Sequence, residues 1–469
     1  MKTDLFLAGE WVDAKHKLRV VNPYTQQECA SVSLADKNHL HKAIDEALAC
    51  RPHFELVSAG QLSEILQQIA VKIHNRKAEF TQLIVMESAK PYVYAEGEVL
   101  RAIETFKIAA EECKRLPSEL IDLDWTTTPN RKKGRVTYKS SGVVAGISPF
   151  NFPLNLVAHK IAPAIATRCP IILKPSSATP LTSLLLAHVI SETSLPKGAL
   201  SILPCSREVG QLLVEDNRIS VLSFTGSPDV GWKMKTQSGK KKVVLELGGN
   251  AAAIVHEDAD ISSTVQKLSI GAFAYSGQVC IHTQRIYVHE KIVDQVTTAL
   301  INSANSLKVG DPSLDTTNFS VMIDEKNALR IEEWLNEAQI AGAQLLCGGN
   351  RKGLLVEPTI VKLAKRGMKI YDEEVFGPVV CIQPYSSIEE AIELVNDSRF
   401  GLQASLFTNM HSVIETCAER IEVAGLILND ATTFRVDHMP YGGIKDSGFG
   451  REGVRYAMLD FLEPRMLVF

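Results

Sequence analysis

The sequence predicts an α/β protein of doubly wound, mainly parallel sheets, on three observations. Short apolar runs alternate with helical segments from about residue 141 to 250. The same alternation restarts at about 251 and continues to 450, after a Gly-Gly pair at 248–249. The chain has 469 residues, more than one hydrophobic core usually serves, so two or three domains are expected. Alternation of this kind is the signature of strands covered by helices on both faces.

The elements follow in chain order. HKAIDEALA (41–49), SEILQQIAVKIHNRKAEFTQLIVMES (63–88) and EVLRAIETFKIAAEECKRL (98–116) place apolar residues at helical spacing. DLDWTTTPNRKKGR (122–135) is a polar break containing Pro and Gly. Val143–Ile147, Pro170–Leu173, Leu200–Leu203, Val221–Phe224 and Val243–Leu245 are short apolar runs of the kind buried strands show. PLTSLLLAHVISETSL (180–195) and EVGQLLVED (208–216) between them have a helical pattern. Beyond the Gly-Gly pair come the strand patterns IYVH (286–289), VVCIQPY (379–385) and GLILND (425–430), and the helical patterns KIVDQVTTALINSANSL (291–307) and IEEAIELVN (388–396). A cleft between the two halves is where a ligand is expected.

Composition narrows the function class. Hydrophobic residues make up 45% and charged residues 22%, an ordinary globular balance. A net charge of −4 suggests neither a nucleic-acid nor a membrane-surface partner. The amino-terminal MKTDLFLAGEW carries an Asp and a Glu and does not resemble a secretory signal. The carboxyl-terminal PRMLVF shows no prenylation or peroxisomal signal. No apolar run reaches the roughly 18 residues of a membrane span. The nine cysteines, at 29, 50, 113, 169, 205, 280, 347, 381 and 417, are irregularly spaced with no CxxC pair. That argues against a disulfide framework or a zinc site and for a reducing, cytoplasmic home. Cys280-x-His282 and His39-x-His41 lack further ligands at workable spacing, so no metal is expected.

Two strand ends could meet phosphate. In Ser223–Lys233, VLSF ends a strand, Thr-Gly-Ser turns, and Pro228 suits the first turn of a helix. Free N–H groups there, with the Ser227 hydroxyl, suit a pyrophosphate; an ordinary capped helix reads the same way. Ile171–Ser177 places Lys174 and two hydroxyls at another strand end, where a merely solvated Lys is the plain alternative. Gly448-Phe-Gly450-Arg-Glu-Gly453 spells G-x-G-x-x-G but lies close to the chain end, with no room for a βαβ unit. A Gly-rich turn before a closing helix is expected there.

Taken together, PFNFP (149–153), KPSS (174–177), FTGS (224–227), LELGG (245–249), GQVC (277–280) and EEVFGP (373–378) form an ordered set. With GLQASLFTN (401–409) and YGGIKDSG (441–448), the set resembles the aldehyde dehydrogenase superfamily over essentially the whole chain. The last segments look most like its lactaldehyde and non-phosphorylating glyceraldehyde-3-phosphate branch. The resemblance implies oxidation of an aldehyde to its acid with NAD(P)+, and a dinucleotide-binding domain lacking the usual Gly fingerprint. It implies a cofactor domain at 1–117 and 141–247, a catalytic domain at 248–450, and a small β oligomerisation arm from 118–140 and 451–469. The arm suggests a homodimer or homotetramer, with the apolar tail AMLDFLEPRMLVF adding a strand or cover to a partner.

The same resemblance assigns roles. Cys280 matches the nucleophile whose adduct with the aldehyde releases hydride and leaves a thioester. Asn151, with the Cys280 N–H, matches the oxyanion donors. Glu246 matches the base that activates water for thioester hydrolysis, and its place between an apolar strand and two glycines suits a carboxylate of raised pKa. Lys174 and Glu374 match the residues that hold the two riboses. Phe376 matches the one beside the nicotinamide, and Ser227 the pyrophosphate contact; Gly226, Leu247 and the Phe150 backbone also lie by the cofactor in relatives. NAD-preferring relatives often have a Glu where this chain has Ser177; a hydroxyl beside Lys174 can instead donate to a 2′-phosphate, so NADP is expected to be used well alongside NAD. Arg101, His159 and Arg435 match positions around an anionic substrate group. Glyceraldehyde-phosphate relatives carry Arg immediately before the nucleophile, where this chain has Val279, which favours a small polar or singly anionic aldehyde over a phosphorylated one. A CoA-acylating semialdehyde dehydrogenase and a catalytically silent, crystallin-like relative are the alternative readings.

Overall fold

The computed structural model describes residues 2–128 and 131–469. Its centre is two large sheets. In the first, five parallel strands run in the order Leu200–Ile202, Ile171–Lys174, Val143–Ile147, Ile219–Thr225 and Lys242–Glu246. The hairpin of Leu5–Leu7 and Glu10–Val12 extends one edge, and Gly448–Phe449 pairs antiparallel with Leu245–Glu246 at the other. The sequence places each of the five parallel strands within two residues of its observed bounds.

The reason is burial on both faces. Val144, Ile171, Leu173, Val221 and Val244 pack into one core, with the helices Ala59–Asn75, Tyr92–Glu112, Asn155–Ala166 and Leu181–Ser191. Val143, Ala145, Ile147, Ile172, Leu222 and Leu245 face the opposite core, toward Lys37–Glu55 and Arg207–Glu215. A strand covered on both sides reads as an unbroken apolar run.

The second sheet has the order Gln344–Cys347, Thr359–Lys362, Val379–Tyr385, Thr283–His289, Ala251–Val255, Gln403–Phe407 and Gly425–Leu428, parallel except at its first pair. A third, antiparallel sheet joins Leu462–Val468, Lys133–Ser140 and Ser118–Asp122. The tail strand therefore pairs within its own chain; its far edge is open, and Met466, Leu467, Val468 and Phe469 are exposed along it.

Two differences from the sequence reading have physical causes. The helical pattern at 63–88 is two helices, Ala59–Asn75 and Lys77–Ser88, broken at Arg76 (φ −111°, ψ 21°). No Gly or Pro marks this break; it lets both helices bury apolar faces against Tyr92–Glu112. The Gly-rich segment 448–453 does turn before a helix, Val454–Asp460, but its first two residues also close the edge of the first sheet. That closing helix packs chiefly on Asn155–Ala166. Among the described residues, no helix is long and apolar enough to cross a membrane.

Topology sets the site. The first sheet presents carboxyl ends of strands at Ile147, Lys174, Thr225 and Glu246, where open α/β sheets bind ligands. The second sheet presents the amino ends of Ala251–Val255, Thr283–His289 and Val379–Tyr385, so the segments entering those strands face the same cleft.

Candidate active site

A cavity of about 590 Å³ lies between the sheets. The first half contributes Phe150, Asn151, Thr225, Gly226, Ser227, Glu246 and Leu247. The second contributes Cys280, Glu374, Phe376 and, from the helix Glu325–Ile340, Lys326, Asn327, Arg330 and Trp334. The sequence reading missed these last four. They fall on an amphipathic helix whose polar face looks like any solvated one.

Cys280 enters from a strained turn. Tyr275, Ser276 and Gly277 run left-handed in succession, with φ of 50°, 54° and 69°. Two of the three are not glycine, a conformation that costs free energy and persists only where the surroundings enforce it. The Tyr275 hydroxyl donates to the Ser88 carbonyl (3.1 Å), the Ser276 hydroxyl to the Ser320 carbonyl (2.7 Å), and the Gln278 side chain accepts from Ile323 N–H (2.9 Å). A Cβ on Gly277 would collide with the Gly377 carbonyl, so the turn presses against the backbone at Gly377 and Pro378, just after Phe376. The thiol sits on the cavity wall, half-buried, and its Sγ lies 3.1 Å from the Tyr441 hydroxyl. Burial pushes its pKa up to about 11, while the Tyr441 hydrogen bond and the Arg435 charge act to lower it.

Asn151 ties the two halves together, its side-chain amide donating to the Gln278 carbonyl (2.9 Å). An Asn amide has two N–H donors, so one remains beyond this bond. The loop carrying Asn151 is fixed from behind. Leu154 and Asn155 N–H groups donate to buried Glu98 (2.8 and 3.1 Å), which caps the helix Asn155–Ala166 and pairs with buried Lys90.

Glu246 ends its strand fully enclosed, with no hydrogen-bond partner on either carboxylate oxygen among the described residues. Oε1 lies against Gly442, where a Cβ would stand 2.6 Å away; the backbone there (φ +149°) suits glycine alone. Burial first, and the nearby Glu452 charge second, hold its pKa well above the carboxylate range. Glu452 is the reverse. Burial acts to raise it, but Lys160 (3.3 Å) and Arg435 (3.1 Å) outweigh burial and hold it low. Lys160 also donates to Ser223 (3.1 Å) and Thr225 (2.8 Å).

The three residues matched to an anionic group gather, but not as free cations. Arg101 grips Asp437 with two nitrogens (3.2 and 2.7 Å), and His159 Nε2 meets the same carboxylate at 2.8 Å. Arg435 is buried, pairs with Glu452, and stacks its guanidinium 3.6 Å above the Tyr441 ring. Asp437, Glu452, Lys160 and Tyr441 went unsingled in the sequence. The available signal was Lys160, a lysine inside a helix whose every residue is buried.

The cofactor residues divide. Phe150, Gly226, Ser227, Leu247, Glu374 and Phe376 line the cavity; Phe376 holds a left-handed φ of 46° and meets the Phe150 ring edge-on at 5.8 Å. Glu374 accepts from Gly249 N–H (3.1 Å), and burial pushes its pKa up to about 7. Lys174 and Ser177 stand one strand over, outside the lining, joined to it by Ser148 N–H donating to the Lys174 carbonyl (3.2 Å). Ser227 precedes the helix Pro228–Gln237 and makes no side-chain cap bond, and Ser227 and the first residues of that helix, Pro228 and Asp229, line the cavity. That fits an anionic diphosphate. Among the described residues, no group of three or more His, Cys, Asp or Glu is placed to hold a metal ion. A thiol, an unpartnered carboxylate and an amide around one cavity can carry covalent addition to a carbonyl.

The sequence model of the aldehyde dehydrogenase family matches residues 11–467. The 3-sulfolactaldehyde dehydrogenase of Priestia aryabhattai is 42% identical over 466 residues, 99% of this chain and 97% of its own length. The lactaldehyde dehydrogenase of Methanococcus aeolicus is 35% identical, covering 99% of both chains. Among solved structures, aldehyde dehydrogenase 21 of Physcomitrella patens, in complex with its reaction product succinate, superposes with a TM-score of 0.98 at 44% identity (99% of this chain, 98% of that one). The glyceraldehyde-3-phosphate dehydrogenase of Methanocaldococcus jannaschii complexed with NADP gives 0.93 at 35% identity (97% and 99%).

Proposed function

The chain belongs to the aldehyde dehydrogenase family and is an NAD(P)-dependent oxidoreductase of small polar aldehydes; we propose that Cys280, Asn151 and Glu246 carry its chemistry. The observation that supports this most is the shared cavity: Cys280, the unpartnered Glu246 and the open helix start at Gly226–Ser227 line one space. NAD(P)+, when bound, supplies the hydride acceptor. Ser227, Leu247, Glu374, Phe376 and the Phe150 backbone would hold it, with Lys174 and Ser177 at its outer end.

The protein's own steps are these. The Cys280 thiolate forms a C–S bond to the aldehyde carbon, and the carbonyl oxygen takes the negative charge. The second Asn151 N–H and the Cys280 N–H stabilise that oxygen. Collapse of the adduct expels hydride and leaves the acyl group as a thioester on Cys280. Glu246 then takes a proton from water; the hydroxide adds to the acyl carbon, the C–S bond breaks, and acid and thiolate are restored. The raised pKa of Glu246 suits a base working near neutrality.

A small, polar or singly anionic aldehyde fits the substrate side. Arg101, Arg435 and Lys160 meet the carboxylates of Asp437 and Glu452, three cations against two anions in these ion pairs. The relatives named for sulfolactaldehyde and lactaldehyde, and the succinate complex, support this class. Val279 is buried with Ile281, Leu402 and Tyr441, so no cation for a phosphate stands directly before the thiol. The exposed Leu120, Met466, Leu467 and Val468 on the open three-stranded arm support a homodimer or homotetramer. Nine cysteines with no disulfide suit a cytoplasmic setting.

One experiment tests the reading: rates and products for lactaldehyde, sulfolactaldehyde, succinate semialdehyde and glyceraldehyde 3-phosphate with each nicotinamide, without CoA, for the wild type and Cys280→Ser. Free acid formed in step with NAD(P)H, and lost in Cys280→Ser by at least about 10³-fold, is the expected result. A requirement for CoA would move the enzyme to the acylating class, and surviving turnover in Cys280→Ser would remove the thiol from the mechanism.

A further inference from the structure

Cys280 has a hydrogen-bond partner that the proposed mechanism leaves idle. The Tyr441 hydroxyl, 3.1 Å from Sγ, is the side-chain group that the described residues place in bonding reach of the thiol. Its position is heavily determined. Tyr441 is buried, and its backbone exchanges two hydrogen bonds with Glu452 (3.0 and 2.6 Å). Its ring lies under the Arg435 guanidinium, which Glu452 holds from the other side. Val279, Ile281 and Leu402 pack around the ring, with Phe152 alongside. An aromatic ring alone would fill this space; the hydroxyl adds a donor aimed at the reacting sulfur.

We propose that Tyr441 is a thiolate-stabilising donor: its O–H points to Cys280 Sγ when the sulfur is ionised, and the Arg435–Glu452 pair fixes the ring in that pose. This inference rests on Cys280 being the nucleophile and adds a residue to that reading. The direction of the bond follows from inventory. A thiol and a phenol can each donate, but a thiolate can only accept, so ionisation of Cys280 commits the proton of the bond to Tyr441. A bond to an ionised acceptor is shorter and roughly twice as strong as a neutral one. The bond therefore favours the thiolate over the thiol and offsets part of the cost of ionising a buried sulfur. Arg435, on the face of the ring, favours negative charge on the same side. The buried carboxyls of Glu246 and Glu374 oppose it, which leaves Tyr441 as the neutral group turned toward the thiolate. When Sγ bonds to the aldehyde carbon the hydroxyl is released, and no atom of Tyr441 is consumed.

The test is the pH profile of Cys280 alkylation by iodoacetamide in the full-length enzyme, read by mass spectrometry of the Cys280 peptide. Tyr441→Phe keeps the ring and removes the donor. Its midpoint is expected about one pH unit above the wild type, making alkylation about tenfold slower at any fixed pH below both midpoints. Easier access past a missing hydroxyl would change the plateau rate and leave the midpoint in place, so a packing role alone does not produce the shift. A second variant carries 3-fluorotyrosine at position 441, of the same shape and with a more acidic hydroxyl; its midpoint should fall. Coincident midpoints in wild type and Tyr441→Phe overturn the inference. Should Tyr441→Phe fail to fold, an unmoved midpoint in the fluorinated enzyme does so. Retained turnover in Cys280→Ser would instead overturn the nucleophile assignment, whatever Tyr441 does.

Discussion

The inner and outer parts of the carboxyl-end edge of the first sheet differ in how much water they admit. Around Glu246, at the inner part, Lys160, Glu452, Arg435, Asp437 and His159 are all buried, and nearly every charge has a partner of opposite sign. At Lys174, one strand beyond Val143–Ile147, the side chain is half-buried, its Nζ finds only the Pro175 carbonyl at 3.4 Å among the described residues, and Ser177 is exposed. Charges about 4 Å apart interact by about 1 kcal/mol in water and about 4 kcal/mol at the effective dielectric of a protein. The same substitution therefore costs more at the inner part than at the outer one. On the proposed roles, chemistry would sit where the field is strong, and cofactor choice where it is weak and easily revised.

The largest effect belongs to Glu246. Glu246→Gln keeps the shape and removes the base, so steady-state kcat should fall about 10²–10⁴-fold. In the proposed mechanism acylation does not use Glu246, so stopped-flow should still show a burst of NAD(P)H near one equivalent per Cys280, and acid quench should trap the thioester on that residue. A variant that loses the burst along with turnover would place Glu246 in the first half-reaction. The pH profile carries the sign. Burial and Glu452 raise the Glu246 pKa, so the basic form gains as pH rises through that value, and deacylation in the wild type should accelerate toward alkaline pH.

Next in size is Glu452, where charge matching is structural. Glu452→Gln leaves Lys160 and Arg435 buried without their carboxylate, at a cost of about 3–5 kcal/mol of stability, measurable by denaturant unfolding. The folded pKa of Glu452 lies below its ordinary value, so its contribution is complete above the usual carboxylate range and is lost as acid carries pH down toward the depressed value. The variant should lose that part of the wild type's acid dependence. Stability unchanged in Glu452→Gln would mean the cluster is wetter than its packing indicates.

This contrast also explains what the sequence made legible. Strands buried on both faces announce themselves as apolar runs, so Val143–Ile147 and Ile219–Thr225 could be read almost to the residue. The cavity residues Asn151, Glu246, Cys280, Glu374 and Phe376 stand in short segments whose order is informative, and the structure brings them together. The charged cluster was not readable. Asp437 in FRVDHMP and Glu452 in a Gly-rich turn look like solvated acids. Their burial arises from partners far away in the chain, as in Arg101–Asp437, 336 residues apart. Arg101 and Arg435 could be noticed as cations, but nothing local showed that protein carboxylates occupy their forks. Nor did any breaker mark Arg76, because that break is decided by what the two helices pack against.

The smallest effect lies at the exposed part and tests cofactor choice. Ser177 is exposed and Lys174 is its nearest cation in sequence, so a 2′-phosphate there would meet one positive charge and a hydroxyl donor, largely in water. NADP should therefore serve at least as well as NAD in the wild type; a tenfold advantage in kcat/KM for NAD would remove the premise. Ser177→Glu places a carboxylate where the phosphate would lie. Repulsion penalises NADP, and the carboxylate can accept from the ribose hydroxyls of NAD. Screening at an exposed site limits the swing in kcat/KM ratio to about tenfold, about 1.4 kcal/mol. Because the site is exposed, the swing should shrink as ionic strength rises, and thermal stability should not change. A swing of many hundredfold, or one insensitive to salt, would mean that the outer part is as dry as the cavity around Glu246 once cofactor is bound.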